Sequence, residues 1–380
     1  MPKTKKQIKQ RKQTFLTRTR SAIVVASFYV IYLLLLFFSN RNWFSPIAGH
    51  DKIQFILNFF NVLMIVPIIY FVAKEISDLC FPGHKAIFYY TASALFILTM
   101  GASIFLLGTK YNLFSTELTS YSKVYDNFTF FLIISLSGIV FFTLLSTLVW
   151  IIMSRHIVYV GKKTRIWFPL LVFILNTFFV GFVYTTVIHT WTTYLFLMST
   201  SVLCDVFAYV GGSIFGKHKM APTISPKKTW EGVLFGVGVT LVILCAIISL
   251  FYFIPGAEAK AHSLYCFLGC QSCELQIAGR LINLQPYYWA IYIPAILVIM
   301  VVSIFGDLFF SYIKRRFNVK DFSNLIPGHG GILDRLDALI FTFTFYFLLT
   351  VVIQLIMIFG FGQKAGLYFL WHEIVPNFAL

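Results

Sequence analysis

Asp307, Ser311 and Lys314 follow one another at intervals of four and three residues. That spacing puts a carboxylate, a hydroxyl and an ammonium on one helical face. The chain continues through Arg315 and Arg316 to Lys320-Asp321, and then through Pro327-Gly328-His329-Gly330-Gly331 to Asp334-Arg335-Leu336-Asp337. The proline and three glycines exclude helix here and let backbone approach a ligand closely. Asp334 and Asp337, three apart, share a face near the start of the next helix. An acidic first turn complements a helix dipole on its own, but two acids and Arg335 exceed what a cap needs.

A second cluster lies at Ser225-Pro226-Lys227-Lys228-Thr229, before Trp230-Glu231-Gly232. Lys227 and Lys228, with the hydroxyls of Ser225 and Thr229, make a phosphate cradle. Ser225-Pro226 reads equally as an ordinary helix N-terminus with proline at the first position, and the basic pair equally as a topology signal. Asp205 lies inside the apolar run Val202-Leu203-Cys204-Asp205-Val206-Phe207. An acid in such a run is either a packing carboxylate satisfied by a neighbouring hydroxyl or part of a site. Carboxylates beside clustered cations are what metal-assisted phosphoryl or nucleotidyl transfer requires. Mg2+ takes one or two carboxylates plus substrate phosphates, and cations stabilise charge developing on phosphate oxygens. No P-loop pattern is present.

The elements that hold these residues follow from composition. Of 380 residues, 59% are hydrophobic and 12% charged, and mean hydropathy is +0.83. A soluble chain carries about 25% charged residues. A soluble enzyme, a disordered chain, a coiled coil and a collagen-like fibre are thereby excluded. The apolar residues run in long blocks rather than alternating, which argues against a β-barrel. The fold class is all-α, a polytopic membrane protein of about nine spans at roughly 22–38, 54–73, 86–107, 128–152, 166–188, 192–213, 232–254, 287–310 and 336–359. Each is near the 20 residues that a bilayer asks for.

The formal charge of +16 would suggest nucleic acid in a soluble protein. In a membrane protein it reads as positive-inside topology, and no nucleic-acid partner is expected. With the N-terminus inside, twenty-three of the thirty lysines and arginines fall in the tail and in segments 74–85, 153–165, 214–231 and 311–335. The basic tail lacks a small-residue cleavage site ahead of Arg41-Asn42-Trp43, so a retained helix is expected. The chain then divides into a basic cytoplasmic tail (1–21), an N-terminal transmembrane region (22–190), a catalytic transmembrane region (191–359) with cytoplasmic loops 214–231 and 311–335, and a surface segment (360–380).

The run from Ser311 to Asp337 resembles the signature of the phosphatidate cytidylyltransferases, or CDP-diacylglycerol synthases. Its fixed positions are filled by Ser311, Lys314, Arg315, Lys320, Asp321, His329, Gly330, Gly331, Asp334, Arg335 and Asp337. Ser225–Gly232 is similar to a second motif of that family, as is the run Asp205, Tyr209, Gly216-Lys217. Gly306-Asp307-Leu308 resembles the bacterial branch, whose members often carry Glu three residues after this Asp; here Phe310 stands there. The likeness covers about residues 200–340.

It implies the reaction CTP + phosphatidate → CDP-diacylglycerol + pyrophosphate, with Mg2+, at the cytoplasmic face of the plasma membrane. It also implies a homodimer. Asp307 and Asp334 would hold the metal. Lys227, Lys228 and Arg335 would meet the CTP phosphates, and Lys314 with Arg315 the phosphatidate head group. Ser225, Thr229, Ser311, Lys320, Asp205 and Asp337 are supporting candidates. His329 is either a proton carrier or a loop hydrogen-bond partner, since a dianionic phosphate nucleophile needs no base. A CTP-dependent lipid kinase would release CDP instead, and the intact signature argues against it. A transporter would carry charges near mid-bilayer on several spans, whereas these are one-sided.

Cys80, Cys204 and Cys245 read as small apolar residues. Cys266, Cys270 and Cys273 read as a disulfide pair or free thiols rather than a metal site.

Overall fold

The computed structural model describes residues 23, 26–39, 50–110, 121–156, 164–187, 191–253, 274–277, 280–283, 288–327 and 330–361. The basic tail, the clustered cysteines at 266, 270 and 273, His329 and nearly all of the C-terminal surface segment lie outside the described residues.

Among the described residues there are ten helices: α1 (Ala26–Ser39), α2 (His50–Leu63), α3 (Ile65–Cys80), α4 (Lys85–Lys110), α5 (Tyr121–His156), α6 (Thr164–Val187), α7 (Trp191–Phe215), α8 (Trp230–Phe253), α9 (Tyr288–Arg316) and α10 (Leu333–Phe361). Eight stretches are long and apolar enough to cross a membrane, α2 and α3 together forming one of them, Ile53–Cys80. The described part of α1 is a shorter apolar helix where the first span is expected. The break between α2 and α3 falls at Met64, three residues before Pro67, which has no N–H to give the preceding turn.

α6 is the most enclosed span and packs against α3, α4, α5, α7 and α10. Lipid is as apolar as Leu, so helix association here rests on close packing rather than on water exclusion. Rings supply it. Phe182 of α6 lies 5.1 Å from Phe343 of α10 and 5.6 Å from Tyr194 of α7, and Tyr184 lies 5.5 Å from Phe347. Cys80 and Cys204 are buried free thiols.

Two short antiparallel ribbons depart from the all-helical expectation: β1 (Lys219–Ala221) with β2 (Ser225–Thr229), and β3 (Glu274–Ile277) with β4 (Arg280–Asn283). Ser225-Pro226 is therefore strand rather than helix N-terminus, and α8 begins only at Trp230. The β1–β2 register shifts between its two paired positions, Lys219 with Thr229 and Ala221 with Ser225. Pro226, which cannot donate to a ladder, falls in that irregular stretch.

One end of the bundle gathers the chemistry. The Arg315 Nε of α9 donates to Ile224 O in the β1–β2 turn at 3.3 Å. Ser323, in the α9–α10 loop, reaches Glu75 near the end of α3. Trp167, early in α6, packs its ring 5.7 Å from Tyr312, late in α9.

Candidate active site

The β1–β2 ribbon is pinned to α8 from both sides. Trp230 N–H donates to His218 O at 3.0 Å. Glu231 accepts from the Lys217 and His218 N–H groups at 3.1 Å and pairs with His218 Nδ1 at 2.5 Å. Thr229, 3% exposed, accepts from Gly232 N–H at 3.2 Å and so caps α8. Its hydroxyl oxygen thus serves the helix start rather than an open phosphate cradle. With the ribbon fixed, Lys228 points into the bundle, while Lys227 lies exposed on the surface.

Lys228 is the hub of the site. Its Nζ lies 2.5 Å from Asp307 Oδ2 of α9 and 3.8 Å from Asp205 Oδ1 of α7. Asp337 of α10 is a close electrostatic neighbour of Asp307. Ser311 Oγ approaches Asp307 Oδ1 at 3.5 Å, one turn along α9 as the spacing predicts. Burial works against the Lys228 ammonium, but Asp307 and Asp205 outweigh it and hold its pKa above the ordinary lysine value.

Two details align these acids. One turn below Asp205 and Asp307, the buried hydroxyls of Ser201 and Ser303 meet at 2.7 Å and tie α7 to α9. Beside Asp307, Gly306 lets α9 come close to α10: a Cβ there would stand 2.8 Å from Phe341 Cβ and 3.0 Å from Asp337 O. That approach brings Asp337 against Asp307.

A second group adjoins the first. Lys314 Nζ lies 2.9 Å from Asp334 Oδ1. Asp334 Oδ2 accepts from Phe322 N–H at 2.9 Å and Gly331 N–H at 2.8 Å. Both Asp334 oxygens are thus engaged, one by a cation and one by the loop backbone. Arg315, Lys320 and Arg335 are exposed around this group, and Ser225 is half-buried at the start of β2. Phe310 is fully buried, its ring 6.0 Å from Phe322 and 6.1 Å from Phe341, so this position is packed with aromatic side chains.

Among the described residues, no three carboxylate, histidine or cysteine side chains converge as a ready-made metal cage. What exists is a group of carboxylates: Asp205 and Asp307 share the Lys228 ammonium, and Asp337 stands beside Asp307 with Lys314 also near. Carboxylate oxygens in such a set suit a hard divalent cation that keeps part of its shell for substrate phosphates.

Sequence reasoning missed Glu231, His218, Ser201, Ser303 and Glu75. Glu231 had a signal, as an acid in the first turn of a helix. Glu75 had one too, as an acid adjoining an apolar run, had that run been read past residue 73.

The chain is 36% identical over 187 residues to a putative phosphatidate cytidylyltransferase of Mycoplasma pneumoniae, covering 46% of this chain and 47% of that protein. It is 37% identical over 142 residues to a phosphatidate cytidylyltransferase of Rickettsia bellii, covering 36% and 48%. A phosphatidate cytidylyltransferase of Helicobacter pylori is 34% identical over 147 residues, covering 39% and 42%. The chain spans about half the length of the curated relatives it matches. The pattern described as the cytidylyltransferase family matches residues 16–353, nearly the whole chain and both loops of the site. The chain belongs to the cytidylyltransferase family.

Proposed function

We propose that the chain is a phosphatidate cytidylyltransferase, joining CTP and phosphatidate to give CDP-diacylglycerol and pyrophosphate at the cytoplasmic face of the plasma membrane. The observation that carries this reading is the Asp205–Lys228–Asp307 cluster, with Asp337 beside it, set at one end of an apolar bundle and ringed by exposed cations. A nucleotide approaches that end from water, and a lipid reaches the same depth sideways between helices.

In the reaction, a phosphatidate phosphate oxygen attacks the α-phosphorus of CTP. A new P–O bond forms, the α–β bridging P–O bond breaks, and pyrophosphate leaves with the electron pair. The nucleophile is already an anion, so no general base is required. Lys228, Lys227 and Arg335 serve the CTP phosphates, and Lys314 with Arg315 the phosphatidate head group. These cations offset charge that builds on the leaving group. Asp307 would hold a Mg2+ ion with a carboxylate of α10, where Asp337 stands against it and Asp334 lies one turn away. When bound, that ion would neutralise phosphate charge and orient the reacting groups.

The test is an assay of purified protein with CTP, phosphatidate and Mg2+. Pyrophosphate and CDP-lipid are expected together. Release of CDP with no CDP-lipid would mark a lipid kinase and overturn the proposal.

A further inference from the structure

Glu75 lies in the second half of α3, 3% exposed, outside the two loops that hold the site. Its Oε1 accepts from Ser323 Oγ at 2.6 Å and from Ile332 N–H at 2.9 Å, and its Oε2 accepts from Leu333 N–H at 2.7 Å. The carboxylate thus caps the start of α10 from another helix. Unsatisfied N–H groups and the positive dipole end favour an anion there.

The same turn is held from its other side by Asp334, through Gly331 N–H and Phe322 N–H. Gly330 sits at φ +84°, and a Cβ at Gly331 would overlap the Glu75 carboxylate. The Gly330-Gly331 turn is therefore clasped between two acids, one from α3 and one from α10. A buried acid without partners would be costly in a membrane protein. Here every bond the carboxylate accepts comes from the loop or from the helix that carries Asp334 and Asp337.

We infer that Glu75 is a positioning residue for the reaction: by anchoring the Gly330–Leu333 turn it sets where α10 begins, and so where Asp334 and Asp337 stand relative to Asp307. It does not itself touch substrate. The inference rests on the nucleotidyl-transfer reading of that cluster.

The experiment uses the full chain, purified, as wild type, Glu75→Gln, Glu75→Ala, Gly331→Ala and the Glu75→Ala/Gly331→Ala double variant. Glutamine keeps the shape but replaces one acceptor with a donor that faces a donor. Its kcat should fall at least about tenfold, as a misplaced reacting group would, with KM for CTP and phosphatidate within about twofold. The thermal unfolding midpoint should stay within a few degrees. Gly331→Ala should lower kcat in the wild-type background and add less than about twofold in Glu75→Ala, because the group that the new methyl would strike is gone. Amide exchange at Ile332 and Leu333 should quicken in both Glu75 variants. That readout needs no turnover, so a wild-type protein that makes no CDP-lipid would sink the functional reading while leaving the anchor testable. Unchanged kcat in Glu75→Gln overturns the inference, as does a loss that tracks the unfolding midpoint, additive effects of the two alanines, or unchanged exchange. If Glu75→Gln does not fold, Ser323→Ala, which removes one bond from the clasp, should lower kcat alone; unchanged kcat there overturns the inference equally.

Discussion

Lys228 carries more of the proposed chemistry than any other single side chain, because two acids from different helices share its ammonium. Replacing it with methionine keeps the stem and removes the charge. Asp205 and Asp307 would then face each other unscreened, and a CTP phosphate would lose its nearest cation. Lys228→Met should lower kcat by about 100-fold or more, the scale set by losing one preorganised stabilising group, as measured by CDP-lipid formation in detergent. The pH response follows from the raised pKa of Lys228. A folded-state value above the unfolded one favours the charged form. The contribution of Lys228 to stability is therefore fully present below the unfolded lysine value of about 10.4, and is lost only as pH climbs through the higher folded value. Lys228 should thus not titrate between about pH 7 and 9.5. The unfolding midpoint of metal-free Lys228→Arg should follow the wild-type pH dependence over that range, and a wild-type midpoint that falls there while that of Lys228→Arg does not would contradict this. Asp205, Lys228 and Asp307 are each legible in the sequence as charges inside or beside apolar runs. Their meeting is not, because it depends on the packing of α7 against α9 and on a ribbon that no periodicity announces.

At the scale of elements, the site depends on how closely α7, α9 and α10 approach. Gly306 permits the α9–α10 contact, and the Ser201–Ser303 bond sets the α7–α9 spacing. Gly306→Val adds a branched side chain where a single Cβ would already crowd the Phe341 side chain and the Asp337 carbonyl. It should push Asp337 away from Asp307 and reduce kcat by at least about tenfold, while helical circular dichroism stays at the wild-type level. Ser303→Ala leaves the Ser201 hydroxyl without this partner in a buried contact, at about 1 kcal/mol. It should lower the unfolding midpoint more than it lowers kcat, which comparing the two measurements would show. Helix positions were readable because hydrophobic length reports them directly. The β1–β2 ribbon was not, since Ser225-Pro226 satisfies the local rules for a helix start and only pairing with Lys219–Ala221 makes it strand. Glu75 escaped for a related reason: α3 continues to Cys80, so an acid assigned to a loop in fact faces the turn before α10.

For the molecule as a whole, the same cations appear twice in the argument, as topology and as chemistry. Lys85 at the start of α4, Arg155 at the end of α5, Lys227 on β2 and Lys320 after α9 are all exposed, and the contacts among α3, α6, α9 and the β1–β2 turn gather their elements at one end. A one-sided distribution of that kind is what the positive-inside rule expects. It also gives an anionic nucleotide and an anionic lipid head group the same attractive surface, with fields that fade over about 8 Å at physiological salt. If that end faces the cytoplasm, as proposed, single cysteines placed at 85, 155, 227 and 320 should resist a membrane-impermeant thiol reagent in intact cells. All four should label once the membrane is permeabilised. CTP supplied at low salt should slow labelling at 227 more than at 155, because Lys227 adjoins Lys228 in the proposed phosphate site, whereas Arg155 is not among the residues assigned to it. Labelling of any of the four in intact cells would split the basic end across the membrane and undo the proposed orientation. Equal protection at 227 and 155 would instead leave the orientation intact and remove Lys227 from the nucleotide contacts.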